Sequence, residues 1–370
     1  MSPKRKNRIV IDARQSGTST GRYVDKLIEN IDKTKSGYEI IVLTTQKRIN
    51  YLRAVAPGCK VITTPYKNFS FGEQVGLWKQ IHKLKADLVH FLMVQQPVLY
   101  MGKTITTMHD LTAARFVNPT GNRIVFLLKQ LIYKVVNRLV ARKSIVVLTP
   151  SEYVKDDVAK YTKTNSRKYV VTYESADKIK EKSNPVDSLE NRQFIVCVGR
   201  SQAHKNLEGL IEAFVHIRQH KPELYLVLAG KKDVLYKRLE KTIRSKAIKN
   251  IIFTDFVTDG QLRWLYEHAE AYVFPSLSEG FGLPGLEAMV HGCPVVSSNA
   301  TCLPEVYGDA AHYFDPENTE DVAAKILEVI SDKNLRESLI KKGYKQAAKY
   351  SWKKTAEQTL EVYKRVLEKE

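Results

Sequence analysis

Cysteine is scarce and unpatterned in this chain. Its four copies, Cys59, Cys197, Cys293 and Cys302, show no CxxC spacing, and two of them sit in the apolar runs FIVCVG and HGCPVV. That argues against a disulfide framework and against a zinc site; buried, reduced thiols in a reducing compartment are the expectation. Long apolar runs are also missing, since nothing approaches the roughly eighteen residues of a membrane-spanning helix. The basic start MSPKRKNRIVIDAR carries too few apolar residues for a signal peptide and reads as a solvated lead-in to a strand. No low-complexity tract suggests disorder, and no Asp-x-Asp pair suggests a bound divalent metal. With 43% hydrophobic residues over 370, a length at which single cores stop growing, two globular domains are expected.

Acidic residues are what the first half lacks. Up to residue 180 there are 32 Lys and Arg against 13 Asp and Glu, and beyond it 27 against 27, so the net charge of +19 belongs to that half. A confined excess implies an anionic partner: lipid headgroups, a phosphorylated acceptor or nucleic acid. The segment 122–143, NRIVFLLKQLIYKVVNRLVARK, reads as a basic helix with Lys134, Arg138 and Arg142 in an i, i+4 stripe. It is a candidate membrane-surface element, and equally a helix whose apolar face packs on a sheet.

Short apolar runs recur along the chain with helical patterns between several of them. NRIVID (7–12), YEIIVLT (38–44), KVITT (60–64), DLVHFLM (87–93), KTITTMH (103–109), KSIVVLT (143–149) and KYVVTYESAD (168–177) are strands of a first unit. The polar, aperiodic EKSNPVDSLENRQ that follows reads as a linker. The alternation restarts with QFIVCVG (193–199), LYLVLAG (224–230), NIIFTDF (250–256), AYVFP (271–275) and CPVVSS (293–298). Such alternation is that of parallel sheets with crossover helices. The chain ends in a helix, SWKKTAEQTLEVYKRVLEK, free to pack back on the first domain.

The chemistry concentrates in FPSLSEGFGLPGLEAMVHGCPVVSSN, 274–299. Seven residues separate Glu279, in a loop after a strand, from Glu287, on a short helix. Gly280, Gly282 and Gly285 permit close backbone approach, and Pro284 suits the first helical turn. Strand, glycine loop and helix N-terminus together make an anion site. In VGRSQAHKNLEGLIEAF, Arg200 and Lys205 flank another helix start, where a forked guanidinium and a point charge suit a diphosphate. Both loops follow strands of the same sheet and should open on one edge. In the first half, Gly17 and Gly21 lie in a strand-to-helix loop without a GxGxxG fingerprint. His109 and Asp110 fall just past a strand end, where open parallel sheets bind ligands, or form a satisfied structural pair.

The Arg200–Lys205 loop, SEGFGLPGLEAMVHGCPVVSSN and LPEVYGDAAHYFDP together resemble the nucleotide-sugar site of glycosyltransferase family 4, retaining enzymes of the GT-B fold. The Glu279–Glu287 spacing matches that family's E-x7-E motif. The resemblance implies an α/β fold of two Rossmann-like parallel-sheet domains facing across a cleft. Residues 1–180 form the acceptor-side domain, completed by a C-terminal helix, 352–370, that crosses back to it; 181–192 are the linker and 193–351 bind the donor. It implies roles as well. Arg200 and Lys205 hold the donor diphosphate, and Glu279, with the backbone of Gly280, Phe281, Gly282 and Leu283, holds the sugar hydroxyls. Glu287 accepts from the ribose, Gly17 lies on the donor side, and His109 lies near the transferred sugar.

Two stretches depart from the pattern: SGTSTGRY replaces a paired-glycine turn, and VTYESAD stands where an Asn-Gly turn is common. The expected activity is metal-independent, cofactor-free transfer of a hexose, mannose or glucose, from a nucleotide-diphosphate sugar to a lipid-linked or saccharide acceptor. The expected location is the cytoplasm, with peripheral association at the inner face of the membrane. Other readings are a basic nucleic-acid-binding α/β protein, which lacks aromatics interleaved with its cations, and a sugar epimerase or phosphorylase on the same scaffold.

Overall fold

A computed structural model describes residues 5–18, 20–116 and 123–368, which fall into two compact units. The first runs to Ala114, resumes beyond residue 122 as far as Glu174, and takes back the chain from Ser351. Its strands are β1 (Arg8–Asp12), β2 (Glu39–Thr44), β3 (Lys60–Thr63), β4 (Leu88–Phe91), β5 (Thr104–Thr107), β6 (Val146–Thr149) and β7 (Tyr169–Val171). They form one parallel sheet in the order β3-β2-β1-β4-β5-β6-β7. The second unit, Ser175–Tyr350, holds β8 (Phe194–Val198), β9 (Tyr225–Ala229), β10 (Ile251–Asp255), β11 (Ala271–Phe274), β12 (Val295–Ser298) and β13 (Ala311–Phe314). These are parallel in the order β10-β9-β8-β11-β12-β13. In each sheet the chain first moves outward from a central strand, β1 or β8, and then returns to that strand's other side. The reversal leaves a crevice at the carboxyl ends of the central pair, because the loops there diverge to opposite faces.

The central strands are continuous apolar runs because helices cover both faces of each sheet. Ile9, Val10 and Ile11, and likewise Ile195 and Val196, are fully buried. Sequence reading overlooked β13, AHYF. The run is short and only its ends are buried, so it lacks the apolar signature of an inner strand.

Two boundary expectations are corrected. The first unit ends at Glu174, not at residue 180, and residues 181–192 are not a free linker. That stretch is laid along the helix Asp259–His268. Arg263 donates to the carbonyls of Ile179 and Glu181, Asn184 N–H donates to the Gly260 carbonyl at 3.1 Å, and Leu189 is buried. The segment shows no periodicity because its backbone groups, rather than an apolar face, attach it.

The basic segment is helical over Arg123–Lys143, Asn122 lying outside the described residues. It is apolar on two sides. Tyr133, Val136, Val140 and Ala141 pack in the core, whereas Leu127, Leu128, Leu131, Ile132, Val135 and Leu139 are between 43% and 61% exposed.

The last helix, Trp352–Glu368, belongs to the first unit and packs along the helix Gly21–Lys33. Its positions 369 and 370 lie outside the described residues. Trp352, Ala356, Tyr363 and Val366 are buried, following the helical period. Tyr363 also supplies a polar contact: its hydroxyl lies 2.6 Å from Nδ1 of His90, a fully buried residue on β4. Burial pushes the His90 imidazolium form out, lowering its pKa to about 3, and the neutral ring is held at both nitrogens, Nε2 meeting Thr107 Oγ1 at 2.9 Å. Replacing Tyr363 by Phe leaves a buried ring nitrogen without its partner. The expected cost is roughly 1–3 kcal/mol, read as a lower urea midpoint at unchanged slope.

Candidate functional site

In the second unit β8 and β11 are hydrogen-bonded neighbours, with Ile195 beside Ala271 and Val196 beside Tyr272. The loops that leave their carboxyl ends therefore start side by side at the point where strand order reverses. The first, 199–206, carries Arg200 and Lys205; the second, 275–282, carries Glu279. A backbone bond joins them, Leu277 N–H donating to the His204 carbonyl at 2.7 Å. Lys205 Nζ lies 2.6 Å from Glu279 Oε1, with both side chains largely buried, and 5.3 Å over the Phe274 ring. Arg200 is exposed at the mouth of the same crevice. The expectation that both loops open on one edge is met, and the structure adds direct contact between the cation and the carboxylate.

Glu279 is fixed by its backbone. Its N–H donates to Thr301 Oγ1 at 3.1 Å and its carbonyl accepts from the Cys302 thiol at 3.3 Å. Both partners follow β12, and sequence reading assigned neither a role. A threonine and a cysteine 22 and 23 residues beyond Glu279 carry no signal of their own; they join the loop only because β12 adjoins β11.

The turn into the helix Leu283–Val290 depends on two glycines. Gly282 has φ +89°, and a Cβ there would lie 2.5 Å from the Tyr307 hydroxyl; one on Gly285 would lie 2.3 Å from it. Tyr307, fully buried, donates to the Gly282 carbonyl and so shapes the turn from beneath. Phe281 is buried edge-on against Tyr350, so its backbone, not its ring, is what a ligand could meet. Gly280 is buried and Leu283 partly so. Glu287 is buried, accepts from the Tyr266 hydroxyl at 3.4 Å, and its backbone carbonyl meets Nδ1 of His291 at 2.8 Å.

Gly17 and His109 belong to the first unit. Gly17 has φ +75°, between β1 and the helix Gly21–Lys33, and its missing side chain leaves room for Arg48, which pairs with Asp25 at 2.8 Å. His109 follows β5 as expected, but its partner is not Asp110. Asp110 instead accepts from the Thr112 backbone N–H at 2.7 Å, starting a short helix. The ring of His109 is enclosed, with Nδ1 3.3 Å from Glu174 Oε1 and Nε2 3.0 Å from the Leu92 carbonyl. Glu174 lies in the VTYESAD departure, and sequence reading had no reason to bring residues 65 apart together.

Chemically, the second unit offers a lysine, an exposed arginine, a carboxylate and two helix N-termini around one strand-end crevice. Such a set suits a phosphorylated, hydroxyl-rich ligand: cations and backbone N–H groups for phosphate, carboxylates for hydroxyls. Among the described residues, no cluster of three or more His, Cys, Asp or Glu could hold a metal ion, and no helix is long and apolar enough to cross a membrane.

Residues 177–346 match the family model described as glycosyl transferases group 1. The chain is 32% identical over 232 residues to O-antigen chain mannosyltransferase B of Escherichia coli, 59% of this chain and 60% of that one. Against O-antigen chain mannosyltransferase RfbU of Salmonella typhimurium it is 30% identical over 190 residues, 50% and 52% of the two chains. The chain thus spans between half and two thirds of these curated relatives. Among solved structures it superposes on sucrose-phosphate synthase of Thermosynechococcus elongatus with TM-score 0.75 and 17% identity, covering 98% and 99% of the chains. On Anabaena HepE in complex with UDP and glucose the TM-score is 0.74 at 17% identity, covering 97% and 100%. The chain is therefore similar in sequence to group 1 glycosyltransferases over most of its second unit, and its two Rossmann-like units have the GT-B fold.

Proposed function

We propose that this protein is a retaining glycosyltransferase of family 4 that moves a hexose, of the mannose class, from a nucleotide-diphosphate sugar to a lipid-linked or saccharide acceptor. One observation carries the reading: β8 and β11 are adjacent, so Arg200, Lys205 and Glu279 emerge together at the carboxyl edge of the second sheet. The mannosyltransferase names of the sequence relatives support the sugar class.

In this reading the donor diphosphate sits against Arg200 and Lys205, and its growing negative charge is met by those cations and by backbone N–H groups at the start of Leu283–Val290. That stabilisation is preorganised, and so needs no reorganisation as the sugar–phosphate bond breaks. Glu279, held at its backbone by Thr301 and Cys302, accepts from sugar hydroxyls while its carboxylate keeps Lys205 aimed. Glu287 accepts from the ribose. No metal or organic cofactor enters the proposal.

The acceptor is placed at an anionic membrane surface, with the protein in the cytoplasm. The support is the helix Arg123–Lys143, which contains no acidic residue. Its exposed row of Leu, Ile and Val runs beside Lys134, Arg138 and Arg142, and Lys143 at its end contacts the Pro97 and Val98 carbonyls, next to exposed Leu99 and Met101. Apolar side chains flanked by cations match the boundary between acyl chains and acidic headgroups.

Three outcomes test this. A thermal-shift screen should raise the melting temperature with GDP, UDP or ADP, or one of their sugars, since a ligand of the native state stabilises it by mass action. With the donor so found, Glu279→Gln and Lys205→Ala should each lower turnover by roughly 100-fold or more at unchanged secondary structure; normal turnover in both sinks the assignment. In flotation with phosphatidylglycerol vesicles, neutralising Lys134, Arg138 and Arg142 together should cost about 3 kcal/mol of binding, near 1 kcal/mol per cation, and abolish its salt dependence. Absence of wild-type flotation at low salt removes the membrane part alone.

A further inference from the structure

The His109 ring is surrounded by acceptors. Nδ1 faces the Glu174 carboxylate at 3.3 Å and Nε2 faces the Leu92 carbonyl at 3.0 Å. A neutral imidazole has one N–H and one lone pair, so in this setting one ring nitrogen would point its lone pair at an oxygen. An imidazolium donates at both positions and satisfies both.

The rest of the surroundings hold the ring in that orientation. Tyr23, on the helix Gly21–Lys33, meets it edge-on with centroids 4.7 Å apart. The Tyr23 hydroxyl bonds Thr107 Oγ1 at 3.1 Å, Thr107 bonds His90 and His90 bonds Tyr363 of the last helix, so a buried chain of hydrogen bonds ends behind His109. The charged and titratable groups around His109 are Glu174, Asp110, Tyr23 and His90. Of these, Glu174 and Asp110 are the carboxylates, and burial keeps His90 neutral.

We propose that Glu174 is a positioning residue that holds His109 as a standing imidazolium at the carboxyl end of β5, so that His109 serves as a fixed positive donor and never as a general base. Burial is the largest influence and opposes the charge. The hydrogen bond and charge of Glu174, with the Leu92 carbonyl and Asp110, outweigh it and leave the His109 pKa raised. Folding therefore gains from this pair fully below the ordinary histidine range, about 6.5, and loses that gain as pH climbs through the raised value. The cation persists where a free histidine is neutral. An imidazolium has no lone pair to take a proton, so an acceptor hydroxyl cannot be deprotonated here. On binding, Nε2–H can exchange the Leu92 carbonyl for a ligand oxygen without any change of protonation.

The inference deepens the glycosyltransfer reading only in its rate arm; its main test needs no substrate. In full-length protein with 15N-labelled histidine, the ring resonances of His109, assigned by their loss in His109→Asn, should show both nitrogens protonated at pH 7.5. In Glu174→Gln the same ring should become a neutral tautomer at that pH. Turnover of the wild type should be level from pH 6 to 8, whereas in Glu174→Gln it should fall about tenfold per pH unit above the lowered histidine pKa. A neutral His109 in the wild type at pH 7.5, or an unchanged ring signature in Glu174→Gln, overturns the proposal. Should the variant not fold, the wild-type spectrum decides alone. If no donor is turned over while both nitrogens are protonated, the transferase reading fails and this one stands.

Discussion

The parallel pairing of β8 with β11 is the constraint on which the site depends. Strand order reverses between them, so their loops leave from adjacent positions and share one crevice. Lys205 reaches Glu279 because of that adjacency, and β12 on the far side of β11 supplies Thr301 and Cys302 to hold the acid. Within the Lys205–Glu279 pair each charge offsets the cost of enclosing the other.

The first unit is organised differently. Its apolar sheet would be incompletely covered without the last helix, which returns from the far end of the chain to pack along Gly21–Lys33. That helix brings Tyr363 to His90, and the hydrogen bonds running from there through Thr107 to Tyr23 end at the ring of His109. Two histidines in one unit are thus shifted in opposite directions: burial among hydroxyl partners lowers His90, while the Glu174 carboxylate beside His109 raises it against burial. The same unit exposes an apolar row on a helix without acids, a feature that core packing leaves unexplained.

Much of this was legible in the residues. Apolar runs of strand length predicted all the inner strands, because a parallel sheet covered on both faces needs uninterrupted burial. The return of the last helix was also anticipated. Strand β13 carries no such signal because it is an edge strand with only its ends buried, and the 181–192 segment resembles a linker because backbone contacts leave no periodic trace. The basic helix is apolar toward both core and solvent, a distinction invisible to a count of its apolar residues.

By itself, the sequence determined local matters: where strands and helices form, that Gly282 and Gly285 make a turn, and that Arg200, Lys205, Glu279 and Glu287 sit at element ends. These follow from periodicity and backbone freedom within a few residues. Tertiary structure decided the pairings: Lys205 with Glu279 across 74 residues, Glu279 with Thr301, Tyr307 beneath the glycine turn, and His109 with Glu174 rather than Asp110. Charge state and burial depend on which strands lie side by side, and strand order is set by packing over the whole sheet. For that reason the burial of Glu287 belongs to the fold and not to its place on a short helix.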